Sequence, residues 1–245
     1  MKNSFLFLIL CLPSITAFAQ NLGDEVYVWN PEGIELFSEK DLNSKIIDSL
    51  NYGELLYVEK TYEERKIKST LSTMEGIDLD RKTFWLKVKT KNKTGYILGD
   101  RVSTRKPMKK NNSGFEYPEK YFKREYGLKD SIRSVIPVEI EGRSYDQKKD
   151  SLVFMNQSFS TISVFDGCTD WVHTIKEWNF FEVYNLLYNS IYEEYDSIHG
   201  VIRIGIDLEH VDGNLYSFGD GEFLQEAYIK EKANGDFEMG YYYCD

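Results

Sequence analysis

The chain opens with an unbroken apolar run, Phe5 to Leu12, set behind Lys2 and ahead of Pro13. From residue 24 the pattern changes to short alternating segments divided by turn residues. Val26-Tyr27-Val28-Trp29 and Ile34-Glu35-Leu36-Phe37 flank a Pro31-Glu32-Gly33 turn, and Ile46 to Leu50 and Leu55 to Val58 flank Asn51-Tyr52-Gly53-Glu54. Phe84 to Lys89 and Gly95 to Leu98 follow, with Lys91-Asn92-Lys93 as the hairpin turn between them. Short β-branched and aromatic runs bounded by Gly, Pro and Asn read as strands. Thr61 to Thr83 interrupts the series, and its Leu71, Met74, Ile77 and Leu79 point to a packed hairpin extension.

A polar, basic, turn-rich stretch over residues 105–114 reads as a linker. Beyond it, Pro118 to Tyr126 predicts a short helix, and Arg133 to Ile140 a strand whose Pro137 suits a sheet edge. Leu152 to Met155 and Ile162 to Phe165 predict paired strands. Phe180, Phe181, Tyr184, Leu187, Tyr188, Ile191, Tyr192 and Tyr195 fall at helical spacing, and His199-Gly200 stops that helix. Val201 to Leu208 alternates, Phe223 to Lys230 is a strand, Asn234-Gly235 is a two-residue hairpin turn, and Phe237 to Tyr243 closes the sheet. The expected fold is β-rich with two domains. A small β-barrel occupies residues 24–104, and an α+β domain with an antiparallel sheet and one main helix occupies residues 115–245.

Composition and charge add the compartment. The start of the chain has the order of a secretory signal: the basic Lys2, the apolar run, then Ala17-Phe18-Ala19 with cleavage before Gln20. The run is shorter than the roughly 20 residues that span a bilayer. Residues 1–19 are therefore expected to be a signal peptide, and the protein to be exported, periplasmic or secreted, with no membrane span after its removal. Frequent Tyr and Phe, 18 and 15 in 245 residues, fit β-rich structure. Basic residues predominate from Lys87 to Arg133, whereas from Ser151 onward only Lys176, Arg203, Lys230 and Lys232 oppose seventeen carboxylates. The basic stretch lacks the aromatic platforms of a nucleic-acid groove, so no nucleic-acid partner is expected. Cys11 leaves with the signal, and Cys168 and Cys244 remain as an even pair in an oxidising compartment, which favours a disulfide.

The order of elements in residues 24–104 resembles the bacterial SH3-like family. The residues that carry the likeness are Ile34 to Phe37, Ser44 to Leu50, Asn51-Tyr52-Gly53, Trp85-Leu86-Lys87-Val88 and Thr94-Gly95-Tyr96-Ile97. The resemblance implies a small SH3-like barrel that binds cell-wall peptides or an envelope protein. It makes Tyr27, Trp29, Tyr57, Trp85 and Tyr96 the candidate ligand-binding aromatics. Glu35-Leu36-Phe37 stands where the family has Asn-Val-Arg. Residues 115–245 resemble no family.

Catalytic chemistry is sparse. SH3-like modules often accompany papain-like cell-wall endopeptidases, which makes Cys168 a candidate nucleophile and His199 or His210 its base. The Asp-Cys-Ser-Gly motif of those enzymes is replaced by Asp166-Gly167-Cys168-Thr169, and a bridge to Cys244 would remove the nucleophile. The three histidines, His173, His199 and His210, make no metal-ligand spacing; no metal and no cofactor are expected. The expected function is that of an exported, non-enzymatic binding protein, with a cysteine-dependent cell-wall endopeptidase as the alternative.

Overall fold

The structure is a computed structural model and describes residues 23–69, 79, 81–111, 114–140, 143–191, 206–219 and 226–244. The expected signal peptide, Leu71, Met74, Ile77, His199 and most of Val201 to Leu208 lie outside the described residues. What is described is β-rich: two large antiparallel sheets and two α-helices. None of its helices is long and apolar enough to cross a membrane.

The first sheet holds β1 (Glu25–Val28), β2 (Ile34–Phe37), β3 (Ile46–Leu50), β4 (Leu55–Lys68), β5 (Lys82–Lys89), β6 (Thr94–Leu98) and β7 (Val102–Ser103), in the order β3-β2-β6-β5-β4-β1-β7. A core of Val26, Val28, Leu36, Leu50, Leu56, Val58, Leu86, Val88, Ile97 and Val102 lies on one of its faces. Every member comes from the sheet itself, so the sheet curls over its own apolar face rather than borrowing a helix to cover it. The described ends of the interval Thr61 to Thr83 form the two arms of a hairpin. β4 runs to Lys68 and pairs with the start of β5, Ile67 opposite Thr83 and Lys68 opposite Lys82.

Gly95 permits the tight β2–β6 contact for a reason of space rather than torsion. A Cβ there would meet Leu36 Cγ and the Phe37 carbonyl oxygen, both at 2.7 Å. Gly33 needs both forms of freedom. Its φ is +80°, and a Cβ would stand 2.4 Å from the Leu50 carbonyl oxygen.

The segment read as a linker is tied down. Met108 is buried, its carbonyl accepts a hydrogen bond from the Tyr52 hydroxyl at 2.9 Å, and Arg124 donates to the Pro107 carbonyl at 3.1 Å. Two-residue strands β8 (Lys110–Asn111) and β9 (Gly114–Phe115) then lead into α1 (Pro118–Tyr126).

The second sheet holds β10 (Leu128–Ile140), β11 (Arg143–Phe154), β12 (Phe159–Phe165) and β13 (Cys168–Ile175), then α2 (Phe180–Ile191), then β14 (Asp207–Asp212), β15 (Leu215–Gly219), β16 (Glu226–Glu231) and β17 (Phe237–Cys244). Its order is β10-β11-β12-β13-β17-β16-β15-β14, two meanders joined where β13 pairs with β17. Register places Trp171, Tyr241, Ala227 and Phe218 on one face, where α1 and α2 cover them. Among the described residues, no helix covers the opposite face.

The α2 start is a capping box. The Asn179 side chain accepts from the Glu182 N–H and the Glu182 carboxylate accepts from the Asn179 N–H, each at 3.0 Å. The other carboxylate oxygen of Glu182 accepts from Ser103 Oγ at 2.5 Å and stands 3.5 Å from Arg105 Nε, so the cap of one sheet's helix is fastened to the other sheet. β1 works the same way through alternation. Val26 and Val28 face the first core, while Tyr27 and Trp29 enter the second.

Candidate functional site

The outer face of the first sheet, opposite its core, carries a second apolar cluster. Phe37, Trp85 and Leu98 are buried there, with Tyr62 and Tyr96 half-covering them. Phe37 and Trp85 meet edge-to-face at 5.7 Å, and Tyr62 and Tyr96 lie 6.0 Å apart. The Lys40 ammonium sits 3.7 Å from the Tyr62 ring centre. Trp85 and Tyr96 do not stack on each other across the hairpin. Register sets Trp85 opposite Leu98 and Tyr96 opposite Lys87, so the two aromatics are diagonal neighbours in one cluster, each with another ring as partner.

Phe37 and Leu98 also form part of the wall of a groove of about 310 Å³, together with Asn30, Gly33, Ile34, Glu35, Leu42 and Arg101. Leu42 is 47% exposed at this groove. Apolar walls with one carboxylate and one guanidinium suit a short peptide, whose side chains and polar ends need both kinds of contact.

Of the five aromatics expected to bind ligand, the structure brings two to this face. Tyr96 lies in the partly exposed cluster, and Trp85 is its buried floor. Trp29 is fully buried, packed edge-to-face on Tyr121 and Trp178 at 5.7 and 6.0 Å, with Nε1 donating to the Arg105 carbonyl. Its ring is therefore occupied by packing between the sheets. Tyr27 packs against the same core, and Tyr57 stands exposed on β4, outside the cluster. Glu35, Leu42 and Arg101 were missed. Glu35 lies in β2, Leu42 in the turn after it and Arg101 in a single 3-10 turn after β6, and only the folding of the sheet brings them to one groove.

A second groove, of about 420 Å³, lies on the open face of the second sheet between Gln147, Ser163, Phe165, Cys168, Asp170, Glu226 and Tyr242. Burial, and then the neighbouring Glu226 carboxylate, raise the Asp170 pKa. Asp170 escaped the sequence reading because Cys168 to Ile175 was not read as a strand; alternation along β13 is what turns it toward the open face.

Of the residues proposed for cysteine catalysis, Cys168 and His210 are not brought together, and His199 lies outside the described residues. Cys168 begins a strand rather than a helix, and its register partner is Cys244. His210 is on β14, with β17, β16 and β15 between it and β13. At about 4.8 Å per strand step that is well beyond hydrogen-bond reach. His173 shares β13 with Cys168 but is fully buried on the covered face, with Nδ1 2.7 Å from Ser160 Oγ. Among the described residues no three His, Cys, Asp or Glu side chains converge as a metal site. No family model, curated protein or solved structure matches this chain.

Proposed function

We propose that this is an exported, non-enzymatic binding protein whose first sheet is an SH3-like module docking on cell-wall peptides or an envelope protein. The observation that carries the reading is the groove beside the Tyr62–Tyr96 face, with its apolar walls and the opposite charges of Glu35 and Arg101 lining it. The Trp85 to Ile97 pattern supports the module. Lys2, Phe5 to Leu12 and Ala17-Phe18-Ala19 support export. The second sheet offers a further interaction surface on its open face.

The test is retention of the purified protein on peptidoglycan and on an immobilised envelope extract. Wild type is expected to be retained on one of them, and Leu42→Glu to weaken that retention about tenfold, some 1.4 kcal/mol. Leu42 is exposed enough for the change to spare folding. Retention of wild type on neither support would overturn the reading, and equal retention of the variant would move the site elsewhere.

A further inference from the structure

The second sheet has two edges of opposite character. β14 is 6 residues long and carries Asp207, Glu209 and Asp212, a short charged edge of the kind that discourages further pairing. β10 is 13 residues long and, among the described residues, pairs only with β11. It exposes Ile132 at 64%, Val135 at 56% and Ile136 at 41%. A long apolar edge strand leaves a row of backbone donors and acceptors open to another strand.

We propose that β10 pairs antiparallel with β10 of a second copy, about a two-fold axis through Ser134, joining two eight-stranded sheets edge to edge. The strand is self-complementary about that residue. Ile132 of each copy falls opposite Ile136 of the other, and Lys129, in the bulge of β10 between Leu128 and Asp130, comes to the same end of the joined edge as Glu139 of the other copy. Neither Lys129 nor Glu139 has a charged partner among the described residues, so each is available to the other copy. The pairing with β11 turns Ile132, Ser134, Ile136 and Val138 to one face, opposite Ser151, Lys149, Gln147 and Tyr145. The two apolar pairs of the joined edge therefore lie on the same side.

Moving the axis one residue toward the N-terminus sets Ile136 against Asp130, and moving it toward the C-terminus sets Ile136 against Ser134 while bringing Ile132 to Val138 and Val135 to itself. Only the axis at Ser134 combines both Ile132–Ile136 pairs with Lys129 near Glu139. Pro137 is compatible with it. An edge proline keeps its missing donor on the outer side, so the outward backbone groups belong to the odd-numbered residues. Arg133 and Val135 then exchange hydrogen bonds twice across the axis. Ser131 donates to the Pro137 carbonyl, and its own carbonyl stays with water. Arg133 is already held by Asp150 at 2.7 Å on the opposite face from Ile132 and Ile136. An isologous contact of this kind closes at two copies and does not propagate.

The inference does not depend on the docking groove, and its test is separate from retention on cell-wall material. Sedimentation equilibrium of the purified protein is expected to give a dimer. Ile136→Lys is expected to raise the dimer dissociation constant at least about tenfold, with an unchanged far-ultraviolet spectrum. Lys129→Glu weakens the dimer by like-charge contact, and the double reversal Lys129→Glu with Glu139→Lys restores it. Ser134→Cys, which faces its own copy, forms an intermolecular disulfide under mild oxidation, whereas Lys148→Cys does not. A protein that stays monomeric at millimolar concentration overturns the proposal. So does a dimer that survives Ile136→Lys, or one that fails to cross-link through position 134.

Discussion

His173 is fully buried on β13, between the rings of Phe122 at 6.3 Å and Tyr241 at 6.5 Å. One ring nitrogen is matched to Ser160 Oγ, and the other, Nε2, has no hydrogen-bond partner among the described residues. With no carboxylate to stabilise the charged ring, burial pushes its pKa down from the usual 6.5 to about 3. Between those values the unfolded chain binds a proton that the folded one refuses. Stability therefore rises with pH across this window and is lost as pH falls below about 6.5. At pH 4.5 the loss through this one residue is on the order of 2–3 kcal/mol. The double substitution His173→Leu with Ser160→Ala removes both polar partners together, which leaves no orphaned group. Urea unfolding at pH 7.5 and 4.5 is expected to show a smaller acid loss for this variant than for wild type, by about that amount. Equal losses would place the acid sensitivity in other groups.

At the scale of elements, the short strands of the first sheet were legible because β-branched and aromatic runs stand between Gly, Pro and Asn turns. β2, β3, β5 and β6 fall where alternation puts them. The turn at Asn234-Gly235 is a three-residue loop rather than the two-residue one expected: Gly235 N–H donates to the Lys232 carbonyl, Lys232 N–H donates to the Asp236 carbonyl, and Gly235 alone takes a positive φ, +83°. β13 was not legible. Thr169 and His173 stand on its covered face and Cys168 and Val172 on its open one, so polarity does not alternate with the pleat. Its position in the sheet was not legible either, because β13 pairs with β17 across α2 and three strands, and nothing local encodes that distance. This junction sets Cys168 directly opposite Cys244. Opposed residues of antiparallel strands have Cα atoms about 4.5–5.5 Å apart, within the range a disulfide needs. We propose that the two are bridged, closing the seam between the meanders. Thiol titration of the unreduced protein in denaturant is expected to find no free thiol in the chain beyond Cys11. Reduction is expected to lower the unfolding free energy by roughly 2–4 kcal/mol. A titratable Cys168 overturns the bridge and reopens the cysteine-enzyme reading.

At the scale of the whole molecule, the linker reading separates two units that the structure joins through buried contacts. Trp29 leaves β1 for the core of the second sheet, and its carbonyl accepts from Asn189 Nδ2 of α2 at 2.9 Å. Asn185, one turn earlier, donates to the Asp100 carbonyl at 3.0 Å. At the far side of the helix, Arg81 donates to the Tyr216 hydroxyl at 2.7 Å and pairs with Glu231. Buried amides of this kind are satisfied only while both sheets are in place, so unfolding either sheet strands polar groups of the other, at about 1–3 kcal/mol each. The expected outcome is one cooperative transition, with tryptophan fluorescence and far-ultraviolet dichroism tracing the same urea curve. Trp29→Ala empties the joint itself and is expected to cost about 3–5 kcal/mol, a large share of the 5–15 kcal/mol typical of a folded protein. If the joint couples the sheets, that variant shifts the whole curve or splits it into two. A wild-type protein that already unfolds in two steps, with Trp29→Ala moving only one of them, would show that the sheets stand independently despite sharing a core.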